Sequence, residues 1–193
     1  MKGKSIGKSI LAVIIGTVWF FVLGRYIAIS IPGTNDVINV QGSVLAVFGV
    51  IFGPIVGVII GLVGQILVEM SWFGLTIKSY TWSTIVAAAV FGYLIGFLGR
   101  AIHINNRKFN GRKMVIFNIM QIIANGIAWF IVAPILKVII YKQGLGRQLL
   151  QGLITWGANI VIVAIFGTLL LAIYAKAKPQ KVKKRKITRK EST

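Results

Sequence analysis

The sequence has no cysteine, one histidine and three acidic residues in 193. Without cysteine there is no disulfide, no thiolate metal site and no thiol redox chemistry. The lone His103 lies in a basic stretch, and Asp36, Glu69 and Glu191 are scattered, so no His/carboxylate cluster spells a transition-metal site. The same scatter argues against a membrane enzyme built on Glu69, Asp36 or His103, since no two of them obviously converge. No catalytic residue and no cofactor is expected. Gly7-Lys8-Ser9 looks like the end of a phosphate-binding loop, but the position that needs its first glycine is Lys2, and no strand precedes it. There is no chain of acids for a proton relay and no inverted repeat of the kind that marks a self-sufficient secondary transporter. Charged residues are few in total, because acids are almost missing. At 13% of residues they are too few to coat a water-soluble globule of this size.

What is present is apolar and basic. Hydrophobic residues make up 56% of the chain and the mean hydropathy is +0.85. A helix crosses the hydrocarbon core with roughly 20 apolar residues, so the length suits one polytopic domain with short loops. Hydropathy predicts six helices: 6–23, 41–52, 54–70, 84–99, 114–136 and 149–174. The first has a positive start but no small-residue cleavage pattern after it, so it reads as a span and not as a signal peptide. Residues 1–175 form the membrane domain, and the basic tail 176–193 is expected to be disordered or to lie on anionic lipid.

The net charge of +19 invites a nucleic-acid reading, but the cations cluster between apolar runs and in the tail. That is the pattern of cytoplasmic loops in membrane proteins, and no nucleic-acid partner is expected. Charge also decides how many times the chain crosses. Six spans put Lys2, Lys4, Lys8, the Arg100–Lys113 loop and the tail on one side, leaving Arg25, Lys78, Lys137, Lys142 and Arg147 opposite. Five spans would export the loop and the tail together. The expectation is therefore an all-α membrane protein of six helices, both termini cytoplasmic, with Gly53-Pro54 as a tight turn. The second helix is too short to span alone and needs protein cover or a thinned bilayer.

Small residues form two stripes. Gly53, Gly57, Gly61 and Gly64 share a face of the third helix, and Ser5, Ser9, Ala12 and Gly16 share a face of the first. Such stripes let backbones approach closely in lipid, either inside the subunit or against a partner. Polar residues and aromatics collect toward the outer side. Asn118, Gln121, Asn125 and Trp129 follow at helical spacing, and Trp156 with Asn159, and Gln65 with Glu69 and Trp72, fall in outer helix halves. Amides at membrane depth serve either as interhelical glue or as ligand contacts. All five tryptophans map outward, which is more suggestive of a stacking pocket than of a two-sided interfacial belt. The loop from Arg25 to Val40, with Asn35 and Asp36, is long enough for a lid, and Arg25 pairs with Asp36, a ligand anion or headgroups. Candidate ligand contacts are Arg25, Asn35, Asp36, Gln65, Glu69, Trp72, Tyr80, Trp82, Asn125, Trp129, Trp156 and Asn159. The rings would stack on a planar ligand, while the amides and Glu69 take its hydrogen bonds.

The run from Phe20 through Gly24-Arg25-Tyr26 to Ile29, the run from Val44 through Gly53-Pro54-x-x-Gly57-x-x-x-Gly61 to Gln65, and Trp82-Ser-Thr through Gly92-Tyr-Leu-Ile-Gly96 resemble the S components of energy-coupling factor (ECF) transporters. The likeness covers about residues 6–174 and is nearest to the small riboflavin, cobalamin and hydroxymethylpyrimidine types. It implies a subunit that captures a water-soluble vitamin or precursor from outside and topples in the membrane to release it. It also implies a transmembrane scaffold subunit and two cytoplasmic ATPases as partners, and the cell membrane as location. Members dock through Ala-x-x-x-Ala on the first helix. The nearest match is Ala12-x-x-x-Gly16 beside Ser9, so these three are the expected docking residues. The alternative is a small membrane scaffold protein without a ligand.

Overall fold

The computed structural model describes residues 6–30, 37–73, 81–102 and 109–177. Helix α1 spans Ile6–Tyr26 and leads into a two-stranded antiparallel ribbon, β1 (Ala28–Ser30) and β2 (Val37–Asn39), with Ile29 opposite Ile38. Helices α2 (Gln41–Phe52), α3 (Pro54–Phe73) and α4 (Trp82–Leu98) follow, the last closing in a 3₁₀ turn over Gly99–Ala101. Two long composite rods complete the chain. In the first, α5 (Gly111–Asn125) passes through a π-helical segment (Gly126–Val132) into α6 (Ala133–Tyr141). In the second, α7 (Leu145–Ile162) passes through another (Val163–Gly167) into α8 (Thr168–Ala177).

The six rods match the expected helices, and five are long and apolar enough to cross a membrane: Ile6–Tyr26, Pro54–Trp72, Trp82–Ala101, Gly111–Tyr141 and Leu145–Ala177. Among the described residues the fold departs from an all-α expectation only in the ribbon, where β-branched Ile29, Val37 and Ile38 favour extended backbone. The sixth rod, α2, has 12 residues, and Gln41, Ser43, Val44, Leu45, Ala46, Val47 and Gly49 are all buried. Its neighbours are α1, α3, α4, α7 and the second π segment. A helix too short to meet lipid at both ends is thus enclosed by protein.

Gly53 makes the reversal between α2 and α3. Its φ of 101° lies in the region that side chains rarely adopt, and Pro54 then opens α3 without needing an N–H partner. That this is a hairpin and not a kink follows from the far ends, where Gln41 and Gln65 meet across 24 residues of sequence. Helices α3 and α4 pack backbone to backbone: a Cβ on Gly57 would run into the Gly92 carbonyl, and one on Gly92 into the Gly57 carbonyl. One turn on, Gly61 meets the Ala88 carbonyl, and Gly64 admits the ring of Phe20 from α1. The core fills with Phe20, Leu45, Ile60, Phe91, Ile95 and Phe117. Outside it, large apolar side chains such as Ile14, Val18, Ile119, Leu150, Ile165 and Leu169 stand exposed along the rods, as a lipid-facing surface requires.

Candidate functional site

The end of the bundle that holds the C-terminus of α3 and the N-termini of α2 and α4 carries a buried polar chain. Gln41 Nε2 donates to Gln65 Oε1 at 3.2 Å, and Gln65 Nε2 donates to Glu69 Oε1 at 2.9 Å. The Thr84 hydroxyl stands 2.9 Å from Glu69 Oε1 and 2.6 Å from the Thr81 carbonyl. Three helices thereby share one hydrogen-bonded strip. Gln65 and Glu69 come together because they sit four residues apart on α3, a spacing that stacks side chains on one helix face. Gly24 on α1 lets Gln41 in, since a Cβ there would collide with the Gln41 Oε1, an oxygen left without a hydrogen-bond partner. One turn beyond Glu69, the Arg25 guanidinium lies over the Trp72 ring, 4.4 Å from its centroid.

Thr84 also faces a cleft between α4, α6 and α7. Its walls are Thr84, Trp129, Ala133, Pro134, Lys137, Gly152 and Thr155, and its volume is about 30 Å³. That is room for roughly two waters, or for one substituent of a ligand. Beside the cleft the first rod passes through a π-helical segment just before Pro134. The proline ring would clash with the carbonyl four residues back in a regular α-helix, and a π turn is one place where such a clash is relieved. Gly152 meets Pro134 and the Trp129 carbonyl at the base of the α6–α7 contact, holding the two helices close.

A second polar cluster ties the composite rods together. Gln121 Nε2 donates to the Ile160 carbonyl at 3.2 Å, and Asn125 Nδ2 donates to the Gln121 carbonyl and to Gln121 Oε1 at 3.0 and 2.9 Å. Trp156 Nε1 donates to the Ile122 carbonyl at 3.1 Å while its ring stacks on Phe130. Asn118 donates to the Thr168 hydroxyl at 3.2 Å, and Ser43 from α2 donates to the Ile162 carbonyl at the edge of the second π segment. Gln121 and Asn125 are almost wholly buried. Here the amides act as interhelical glue.

Of the candidate ligand contacts, Gln65 and Glu69 therefore join the buried chain, Arg25 and Trp72 form a stacked pair at its edge, and Trp129 lines the cleft. Asn125 is buried and bonded to Gln121 on its own helix, and Trp156 reaches from α7 to the Ile122 carbonyl of α5. Asn159 is half-buried on α7 and is not part of the cleft wall. Trp82 and Trp72 are 47% and 45% exposed and Trp19 is 54% exposed, the positions of interfacial or lipid-facing rings. Asn35, Asp36 and Tyr80 lie outside the described residues. On α1, Ala12 is 2% exposed and Gly16 packs against Ile60 and Phe48, so both face the bundle; Ser9 is half-buried. The outward side of α1 is instead Leu11, Ile14, Ile15 and Val18. Sequence reasoning missed Thr84, Lys137 and Thr155 as site residues. Lys137 carried the one readable signal, a cation immediately after an apolar run.

The family model for the S component of ECF-type riboflavin transporters matches residues 5–176. Relatives of similar length include a UPF0397 protein of Clostridium perfringens, 40% identical over 96% of this chain and 98% of its own. A UPF0397 protein of Leuconostoc citreum is 38% identical over 90% of both chains, and one of Staphylococcus aureus is 36% identical over 96% of this chain and all of its own. No solved structure matches.

Proposed function

The chain belongs to the ECF-type riboflavin transporter S-component family, and from that premise we propose that it is the high-affinity substrate-binding subunit of an ATPase-driven importer for a water-soluble vitamin or vitamin precursor. The family is one of transport subunits and not of enzymes. The cargo is read as a flavin-, pyrimidine- or pyridine-type compound or a cobalamin, captured at the bundle end that carries Glu69, Thr84, Trp129 and Lys137. The observation that carries this reading is the polar chain from Gln41 to Thr84 running up to a cleft walled by an aromatic ring and a cation. Packing alone has no need for such a combination. The positive-inside rule puts the Arg100–Lys113 loop and the tail in the cytoplasm, which turns the cleft outward. The subunit would reside in the cell membrane with a scaffold subunit and two cytoplasmic ATPases as partners.

Delivery would follow by reorientation of the whole subunit on the scaffold. The outward side of α1 is uncharged and apolar, with Ala12 and Gly16 turned inward, and supports such a sliding contact. The test is equilibrium binding to the purified subunit, followed by tryptophan fluorescence. A B vitamin or precursor that binds the wild type should bind Trp129→Ala at least tenfold more weakly, with the variant still eluting as a folded monodisperse protein. Equal affinity in the variant would remove Trp129, and with it the cleft, from the site.

A further inference from the structure

We propose that the end of the bundle opposite the cleft carries a site for an anionic phospholipid: Arg100 takes the headgroup phosphate, and the exposed Phe97 and Tyr93 rings of α4 lie along the acyl chain beneath it. This goes beyond the substrate-binding reading and does not rest on it. Phe97 and Tyr93 stand four residues apart, so their side chains share one face of α4. Their rings stack at 6.1 Å with an interplanar angle of 10°. Both are exposed, at 50% and 47%, on a helix long and apolar enough to cross a membrane. Arg100 lies in the 3₁₀ turn that closes this helix, with its guanidinium 5.6 Å from the Phe97 centroid. It is exposed and has no hydrogen bond or ion pair among the described residues. A guanidinium laid on a ring keeps its in-plane N–H donors available, and that planar fork matches two oxygens of a phosphate. The ladder therefore has a cationic head and an apolar stem, in the order that a phospholipid presents its own head and chain.

The surrounding charge selects the sign of the headgroup. Lys8, Arg100, Arg112, Lys113 and Lys176 all belong to this end, whereas Glu69, the one acid among the described residues, lies at the other. A zwitterionic headgroup would bring its ammonium among like charges with no described carboxylate to receive it. A headgroup of net negative charge meets attraction alone, and cations at a membrane surface draw anionic lipid for that reason. The ring is what sets Arg100 apart within this collar. Arg112 is also exposed but stacks on no ring among the described residues, so its guanidinium is not held in one place for a phosphate.

The site is tested by titrating dioleoylphosphatidylglycerol or dioleoylphosphatidylcholine into the purified full chain in lipid-free non-ionic detergent and counting retained lipids by native mass spectrometry. The first phosphatidylglycerol should bind about tenfold tighter than the first phosphatidylcholine, the size of one charge-assisted hydrogen bond. Arg100→Gln should remove that preference. Phe97→Leu, which keeps the apolar helix and the cation but not the ring, should weaken it severalfold. Arg112→Gln should change it less than twofold. Each variant is first shown to elute and melt like the wild type without lipid, so that a folding defect is not read as lost binding. Equal binding of the two lipids, or a preference that survives Arg100→Gln, overturns the site. Equal losses in Arg100→Gln and Arg112→Gln overturn it too, because the attraction would then belong to the whole cationic end. Displacement of the bound lipid by millimolar glycerol phosphate would assign Arg100 to a soluble anion and contradict the lipid reading.

Discussion

At the scale of single residues, the glycines of α3 and α4 are the least replaceable positions. Gly57 and Gly92 each lie against the other's carbonyl, and backbone, unlike a flexible side chain, has nowhere to move. Gly92→Leu should cost at least about 1–3 kcal/mol through overpacking, read as a lower midpoint in a detergent thermal-stability assay. Gly111→Leu, at a site with open space around it, should leave the midpoint within a degree or two. The Gly57/Gly61/Gly64 stripe was legible because helical periodicity alone puts those residues on one face. Its partners Gly92 and Ala88 were not, since contact between faces depends on how α4 is rotated. Glu69 was legible as an isolated acid in an apolar helix. Thr84 was not, because a hydroxyl in a hydrophobic run looks neutral until the chain folds it against a carboxylate.

At the scale of elements, the two π segments set what each long rod can do. They bend regular hydrogen bonding near Pro134 and Gly167, and side chains from other helices bond carbonyls beside them, as Ser43 and Gln121 do at Ile162 and Ile160. Gln121→Ala should therefore lower stability by about 1–3 kcal/mol, the cost of leaving buried partners unsatisfied, while ligand affinity stays within about threefold. A matching loss of affinity, measured by the same fluorescence titration, would move the α5 amides into the binding site. Hydropathy located all six rods but ended the fifth at Leu136, and this hid Lys137 in an apparent loop. The observed rod continues to Tyr141, because apolar Val138, Ile139 and Ile140 carry the helix past the lysine. The β-ribbon escaped notice for a related reason: three-residue strands give too short an alternation to register.

At the scale of the whole molecule, the arrangement is a one-sided device. The polar chain and the cleft share one end of the bundle, and the cationic loop and tail belong by charge to the other. The absence of native cysteine makes the orientation directly measurable. A single cysteine at Lys142 should react with a membrane-impermeant maleimide added to intact cells, whereas one at Arg112 should react only after the membrane is permeabilised. The reverse pattern would place the cleft inside. The family was legible from the Gly53-Pro54 turn and its flanking runs, because that turn is a local backbone requirement that sequence must state. The orientation of the small-residue face on α1 was not. Periodicity shows that Ser9, Ala12 and Gly16 share a face but not which way that face points, and Ala12 and Gly16 point inward.

The central claim, that this subunit by itself holds a small water-soluble molecule, is met most directly by native mass spectrometry of the full chain purified from the cells that make it. The predicted result is a one-to-one small-molecule adduct on the wild type, identified by its mass, that is lost or strongly reduced in Trp129→Ala. A bare subunit, still bare after incubation with B vitamins and their precursors, would contradict the claim and leave a packing protein without a ligand.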